Sequence, residues 1–91
     1  MNFDNQKTYI LVKTKESHPG NIEIGYWAVG TIAEEPKIGH GIFMFRIANS
    51  KNIDGKYGIF STSRILDITK NENYWDIQTL NSVYKLEIYA D

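Results

Sequence analysis

Two short stretches hold the groups best suited to recognition chemistry: Phe60-Ser61-Thr62-Ser63-Arg64-Ile65, and Trp75 followed by Thr79-Leu80-Asn81-Ser82-Val83-Tyr84. Together they offer a guanidinium, several hydroxyls, an amide and aromatic rings. A guanidinium grips phosphate through two parallel hydrogen bonds, and an aromatic ring stacks on a purine face. Asn81 can bond a base edge or a ribose hydroxyl, and Ser82 adds another donor. Arg64, Asn81, Phe60, Trp75 and Ser82 are therefore a set that a nucleotide-like ligand could use. Arg46 joins them because it stands in an apolar run, Gly41-Ile42-Phe43-Met44-Phe45-Arg46-Ile47-Ala48, where a semi-buried cation needs an acid or a ligand. The competing reading is structural: Thr79, Asn81 and Ser82 build a turn, Tyr84 packs, and Arg64 pairs with Asp67 or Asp76.

Catalytic chemistry has less to stand on. The histidines are His18 and His40, and neither has a second histidine at ligand spacing. His40 sits between Gly39 and Gly41, where backbone can approach a ligand closely, but an exposed histidine at a bend explains it equally. Ser61, Thr62 and Ser63 form a hydroxyl run with no motif coupling them to a base. The acids are scattered as solvated charges are. Gly39-His40-Gly41 lacks the Gly-Lys-Ser/Thr of a phosphate loop. A small hydrolase using His40 is the weakest reading, and no metal and no cofactor are implied.

Composition narrows the partners. The chain has 91 residues and a formal charge of −1, with neither half basic. Long nucleic acid needs a basic footprint that is missing here. There is no Cys, no charged leader followed by an apolar stretch, and no apolar run of membrane-spanning length. The expectation is a cytoplasmic, non-membrane protein of one domain.

The elements that position these groups read as strands. Lys7–Lys15 is rich in β-branched and aromatic residues, and its apolar centre is continuous, so neither face can be assigned. Residues 1–6 read as a flexible arm. Ser17-His18-Pro19-Gly20-Asn21 is a turn. Ile22, Ile24, Tyr26, Ala28 and Ile32 share one parity, which predicts a half-buried strand with bulges or bends at Gly25 and Gly30 and with Trp27 and Val29 outward. Residues 34–39 form a loop. Gly41–Ala48 is apolar on both faces, as a central strand would be. A polar loop with Asp54-Gly55 leads to a strand over Ile59–Thr69, and a turn at residues 70–73 leads to Tyr74–Leu80 and Val83–Ala90. The apolar parity switches near Asn81-Ser82, which implies a hairpin turn or a bulge there. The predicted fold is all-β: a small, strongly bent antiparallel sheet or SH3-like barrel of five to six strands.

The stretch Thr62-Ser63-Arg64-Ile65-Leu66-Asp67-Ile68 with Thr79-Leu80-Asn81-Ser82-Val83-Tyr84-Lys85-Leu86 resembles a pattern in short β-proteins of phages and mobile elements: a T-S-x-[IV] strand, a turn, and a T-x-N-S-x-Y strand. Across residues 60–88 it is similar to the Thoeris anti-defence sponges. The resemblance implies a homo-oligomer that sequesters a nucleotide-like immune signal without cleaving it, with Arg64, Phe60 and Asn81 as ligand contacts. The first half of the chain does not align with that family. The alternative is a small protein that inhibits a host protein by direct binding, anchored by Trp27, Phe43 and Tyr57.

Overall fold

A computed structural model describes residues 1–20, 22–51 and 58–90. Seven strands appear: β1 (Thr8–Glu16), β2 (Trp27–Ile32), β3 (Phe43–Asn49), β4 (Gly58–Ser61), β5 (Ile65–Lys70), β6 (Trp75–Thr79) and β7 (Ser82–Ala90). They form one antiparallel sheet in the order β4-β3-β2-β1-β7-β6-β5. No helix occurs among the described residues. The all-β expectation holds, and the strand count is corrected from five or six to seven.

The extra strand comes from the stretch expected to be continuous over 59–69. It breaks at residues 62–64, into β4 and β5. The Thr62 hydroxyl makes the break: it donates to the Ser63 carbonyl at 2.8 Å and accepts from the Ile42 N–H at 3.0 Å. Side-chain bonds of this kind compete with ladder bonds. Thr and Ser also suit strands, so composition hides the break.

The same three residues dictate the curvature. β4 and β5 lie at opposite ends of the sheet order. Six strand spacings on a flat sheet would separate them by about 29 Å. The chain from Ser61 to Ile65 can span at most about 14 Å. The sheet must therefore curl until its edges are neighbours. Rings confirm this: Phe60 on β4 meets Tyr84 on β7 at 6.0 Å between centroids, although three strands lie between them in the order. The loop before β3 fastens the two ends, since Gly39 N–H donates to Ile65 O and Ile65 N–H donates to His40 O, both at 2.9 Å. No ladder joins β4 to β5, so the sheet stays open, and the SH3-like closed barrel is not formed.

Curling gives the sheet one inner face. Tyr9, Leu11, Ala28, Met44, Phe60, Trp75, Ile77, Tyr84 and Leu86 share a single core. The parities of the last two strands are as expected: Trp75, Ile77 and Thr79 point in from β6, and Ser82, Tyr84 and Leu86 from β7. They are joined as a hairpin, with Ile77 opposite Tyr84 and Gln78 opposite Val83. The Thr79 hydroxyl closes its turn, donating to Ser82 O at 2.9 Å and accepting from Ser82 N–H at 3.1 Å.

Three other expectations change. β2 begins at Trp27, not Ile22, because the backbone turns at Gly25, whose φ is +94°; Ile24 is left exposed. The bulge expected at Gly30 is present as a register shift between Val29 and Gly30 against β3. Val29, expected outward, is buried, flanked across the ladders by Ile10 and Ala48. Residues 1–6 are not a free arm either. Phe3 stacks on Tyr9 at 5.3 Å with rings 5° from parallel, Asp4 N–H donates to the Tyr9 hydroxyl at 2.7 Å, and the Trp75 indole N–H donates to Met1 O at 3.2 Å.

Candidate functional site

The two turns singled out in the sequence do come together. Asn81 N–H donates to Ser63 Oγ at 3.2 Å, and Leu80 N–H donates to Arg64 O at 3.0 Å. Ser17 and His18 N–H groups both donate to Asn81 O. These contacts gather Ser61, Thr62, Ser63, Asn81 and Ser82 around one polar cleft of about 210 Å³ at the end of the curled sheet.

The aromatic members of the predicted set are elsewhere. Phe60 is 4% exposed and packs between Tyr26, at 5.4 Å, and Tyr84. Trp75 is 2% exposed, with the Lys70 ammonium 4.4 Å from its ring centroid. Neither presents a ring face to a purine. Arg64 is exposed, and among the described residues it forms no ion pair, so the pairing with Asp67 or Asp76 is absent. Arg46 is half-buried, and its guanidinium donates to the Tyr26 hydroxyl at 3.1 Å. Among the described residues its partner is thus a phenol and not an acid, and its Nε is buried without one. His40 is exposed, and its backbone serves the loop that fastens β5. No hydroxyl bonds a histidine or carboxylate side chain among the hydrogen bonds of the described residues.

One cleft residue, Lys13, escaped the sequence reading. Lys13 is 2% exposed; its ammonium donates to Glu16 Oε2 at 2.9 Å and to Ile22 O. Tyr84 lies opposite Lys13 across the β1–β7 ladder. The available signal was parity: Lys13 shares it with Tyr9 and Leu11, which are buried. Burial pushes the Tyr84 phenol above its ordinary value of 10.0; a hydrogen bond with the Ser82 side chain acts the other way, and nearby Tyr26 adds to the rise. Above pH 10 the unfolded chain releases this proton while the folded chain keeps it. The stability present below pH 10 is therefore lost as pH climbs through the raised folded value. Urea midpoints between about pH 8 and 11 are expected to fall less steeply in Tyr84→Phe than in the parent; identical slopes would show that Tyr84 is not the group responsible.

A second surface stands apart from that cleft. Phe43, Phe45 and Ile47 point outward from β3, and Ile59 points outward from β4 directly opposite Phe45. They are 61%, 54%, 49% and 58% exposed. The apolar third strand is thus not central: it lies next to the edge strand, and its second face is uncovered. Beside this patch is a groove of about 450 Å³ floored by Pro36, Ile42, Phe43, Phe45 and Ile59, with Glu34 and Glu35 at its rim. Glu35 reaches Lys70 at 3.6 Å. Of the anchors expected for protein binding, Phe43 belongs to this patch, Trp27 is half-buried on β2, and Tyr57 lies outside the described residues. The Asp54-Gly55 turn also falls outside them.

Comparison with known proteins finds no matching family, no matching curated protein and no matching solved structure.

Proposed function

We propose that this chain is a non-enzymatic binding module that docks a protein partner on its outer β3–β4 face. The observation that carries the reading is the contiguous exposure of Phe43, Phe45, Ile47 and Ile59. A Phe-sized side chain has on the order of 200 Å² to bury, so four side chains about half exposed present roughly 400 Å². The largest apolar patch on a monomer is commonly of that size and is often functional. β4 adds a sheet edge with no strand on its outer side among the described residues, which suits addition of an extended segment. The rim sets the chemistry of that segment. Two carboxylates, Glu34 and Glu35, line the groove against one ammonium, Lys37; Glu34 has no ion-pair partner among the described residues, and Glu35 shares one with Lys70 across exposed surface. The occupant is therefore an extended apolar segment of another protein, with Lys or Arg beside its bulky anchor.

The test uses fluorescein-labelled peptides of alternating Phe or Leu and Arg, beside matched peptides carrying Glu in place of Arg. Fluorescence polarisation is expected to show binding of the Arg series, at least tenfold weaker binding of the Glu series, and loss of binding in Phe45→Lys. Phe45 is solvent-facing, so this variant keeps its fold. No binding by either series, or equal binding by parent and variant, would reject the reading. A concentration-dependent dimer in sedimentation that Phe45→Lys dissociates would also reject it, in favour of self-association through the same face.

Capture of a nucleotide-like ligand, as the sponge resemblance implies, is the second reading. It draws support from the convergence of Asn81 and Ser82 on one cleft. That cleft is smaller than the roughly 300 Å³ at which drug-sized pockets begin, and the rings expected to stack a base are in the core. Calorimetry with a nucleotide panel separates the readings: heat that Asn81→Ala abolishes favours capture.

A further inference from the structure

A buried ammonium at the base of an open cleft needs a reason. Lys13 is 2% exposed, and its neighbours on the same inward face of β1 are Tyr9 and Leu11. Burying a charge is costly unless it is paired and its hydrogen bonds are made. Glu16 supplies the pair, and the Ile22 carbonyl takes a second N–H. An ammonium has three N–H donors. Among the described residues no acceptor takes the third. Lys13 itself lines the polar cleft of about 210 Å³, a space that a small molecule can enter.

Several of the remaining lining residues can also donate. Ser63 Oγ accepts from Asn81 N–H, which leaves its own proton to give. Ser61 is exposed at the rim, and no hydrogen bond engages the Asn81 side-chain amide among the described residues. His18 lines the same opening. Thr62 is already committed to the Ser63 carbonyl, and the Ser82 side chain to Tyr84, so neither is counted. Among the described residues Glu16 is the one carboxylate in contact with the ammonium, and it is held by it. Surplus donors converging on a fixed cation describe a receptor for a small oxyanion. The volume of about 210 Å³ admits a phosphate group, free or on a small carrier.

We infer that this cleft binds a small oxyanion of the phosphate type, free or carried on a small sugar, with Lys13 as the central contact and Ser63 and Asn81 as rim donors. The site shares no residue with the apolar groove, so it stands whether or not a protein docks there. The binding does not require the base-stacking rings that nucleotide capture would need.

The experiment titrates inorganic phosphate, ribose 5-phosphate and neutral ribose into the protein at constant ionic strength, following melting temperature and amide NMR shifts. Phosphate and ribose 5-phosphate are expected to raise the melting temperature and to shift amides of residues 13, 18, 61–63 and 81–84; ribose is expected to do neither. Stronger binding of ribose 5-phosphate than of phosphate would identify a carried phosphate as the ligand, and the reverse order a free one. Lys13→Met keeps the volume and apolar stem, and should weaken phosphate binding at least tenfold. Should that variant fail to fold, Asn81→Ala, on the exposed turn, should still weaken it several-fold while leaving the phosphate-free melting temperature in place. Equal responses to phosphate and ribose, or phosphate binding unchanged in Asn81→Ala and in a folded Lys13→Met, would overturn the assignment.

Discussion

Replacing Gly30 by Ala is expected to cost at least ~3 kcal/mol of folding stability. A Cβ at this position would stand 2.0 Å from the Phe45 carbonyl oxygen and 2.7 Å from its carbon. An ordinary C···O approach is ~3.3 Å. The obstructing atoms are backbone, so no rotamer change relieves the clash; β2 and β3 must part. The site is the bulge between Val29 and Gly30, where the sheet bends and the register to β3 shifts. Urea unfolding of the purified variant measures the loss. Gly20→Ala is the matched control, since nothing lies within 4 Å of its Cβ and its φ is ordinary; it should change stability by less than ~0.5 kcal/mol. Equal midpoints for the two variants would mean that β2 and β3 do not approach as closely as described.

Trp75→Ala is the second large effect, expected at about 3–5 kcal/mol. A chain of this length has a total stability of roughly 5–14 kcal/mol, so the loss removes at least about a fifth of it and should lower the urea midpoint markedly. The side chain is 2% exposed, its indole N–H holds the Met1 carbonyl, and Lys70 lies over its ring. Losing it opens a cavity and releases the N-terminal segment together. The result also separates two roles. A ring that stacks a ligand could be removed with binding lost and folding kept. Here circular dichroism and urea midpoints should report the damage with no ligand present, and an unchanged midpoint would return Trp75 to the surface.

These effects show where sequence was a sufficient guide. Period-two patterning located β6 and β7, and the parity switch at Asn81 marked their turn, because each strand keeps one face in the core. Gly30 was legible as a bulge for the same reason. The break between β4 and β5 was not, since Thr62, Ser63 and Arg64 are compatible with a strand and only the hydroxyl bonds of Thr62 end it. Phe43, Phe45 and Ile47 looked like a second buried face because side-chain polarity cannot say whether an apolar face is covered by the chain itself. Phe60 and Trp75 were candidates for stacking on residue type alone. The enclosure of Phe60 depends on β4 curling round to meet β7, and Trp75 is held to the N-terminal segment through Met1; no local pattern encodes either contact between distant parts of the chain. The cleft was half legible: its hydroxyls and Asn81 stood in the sequence as a cluster, while Lys13 arrives from the far end of the chain by pairing with β7.

That last pairing has a consequence for how the molecule is made. The longest ladder in the sheet joins β1 to β7, so its first-synthesised strand is completed only by its last. During translation β1 has β2 on one side and nothing on the other until residues 82–90 emerge. Closing so long a loop before the central contacts form is entropically slow. The nascent chain therefore waits with Tyr9 and Leu11 bare, and the interval before the final strand arrives is when it is most exposed to aggregation and to holdase chaperones.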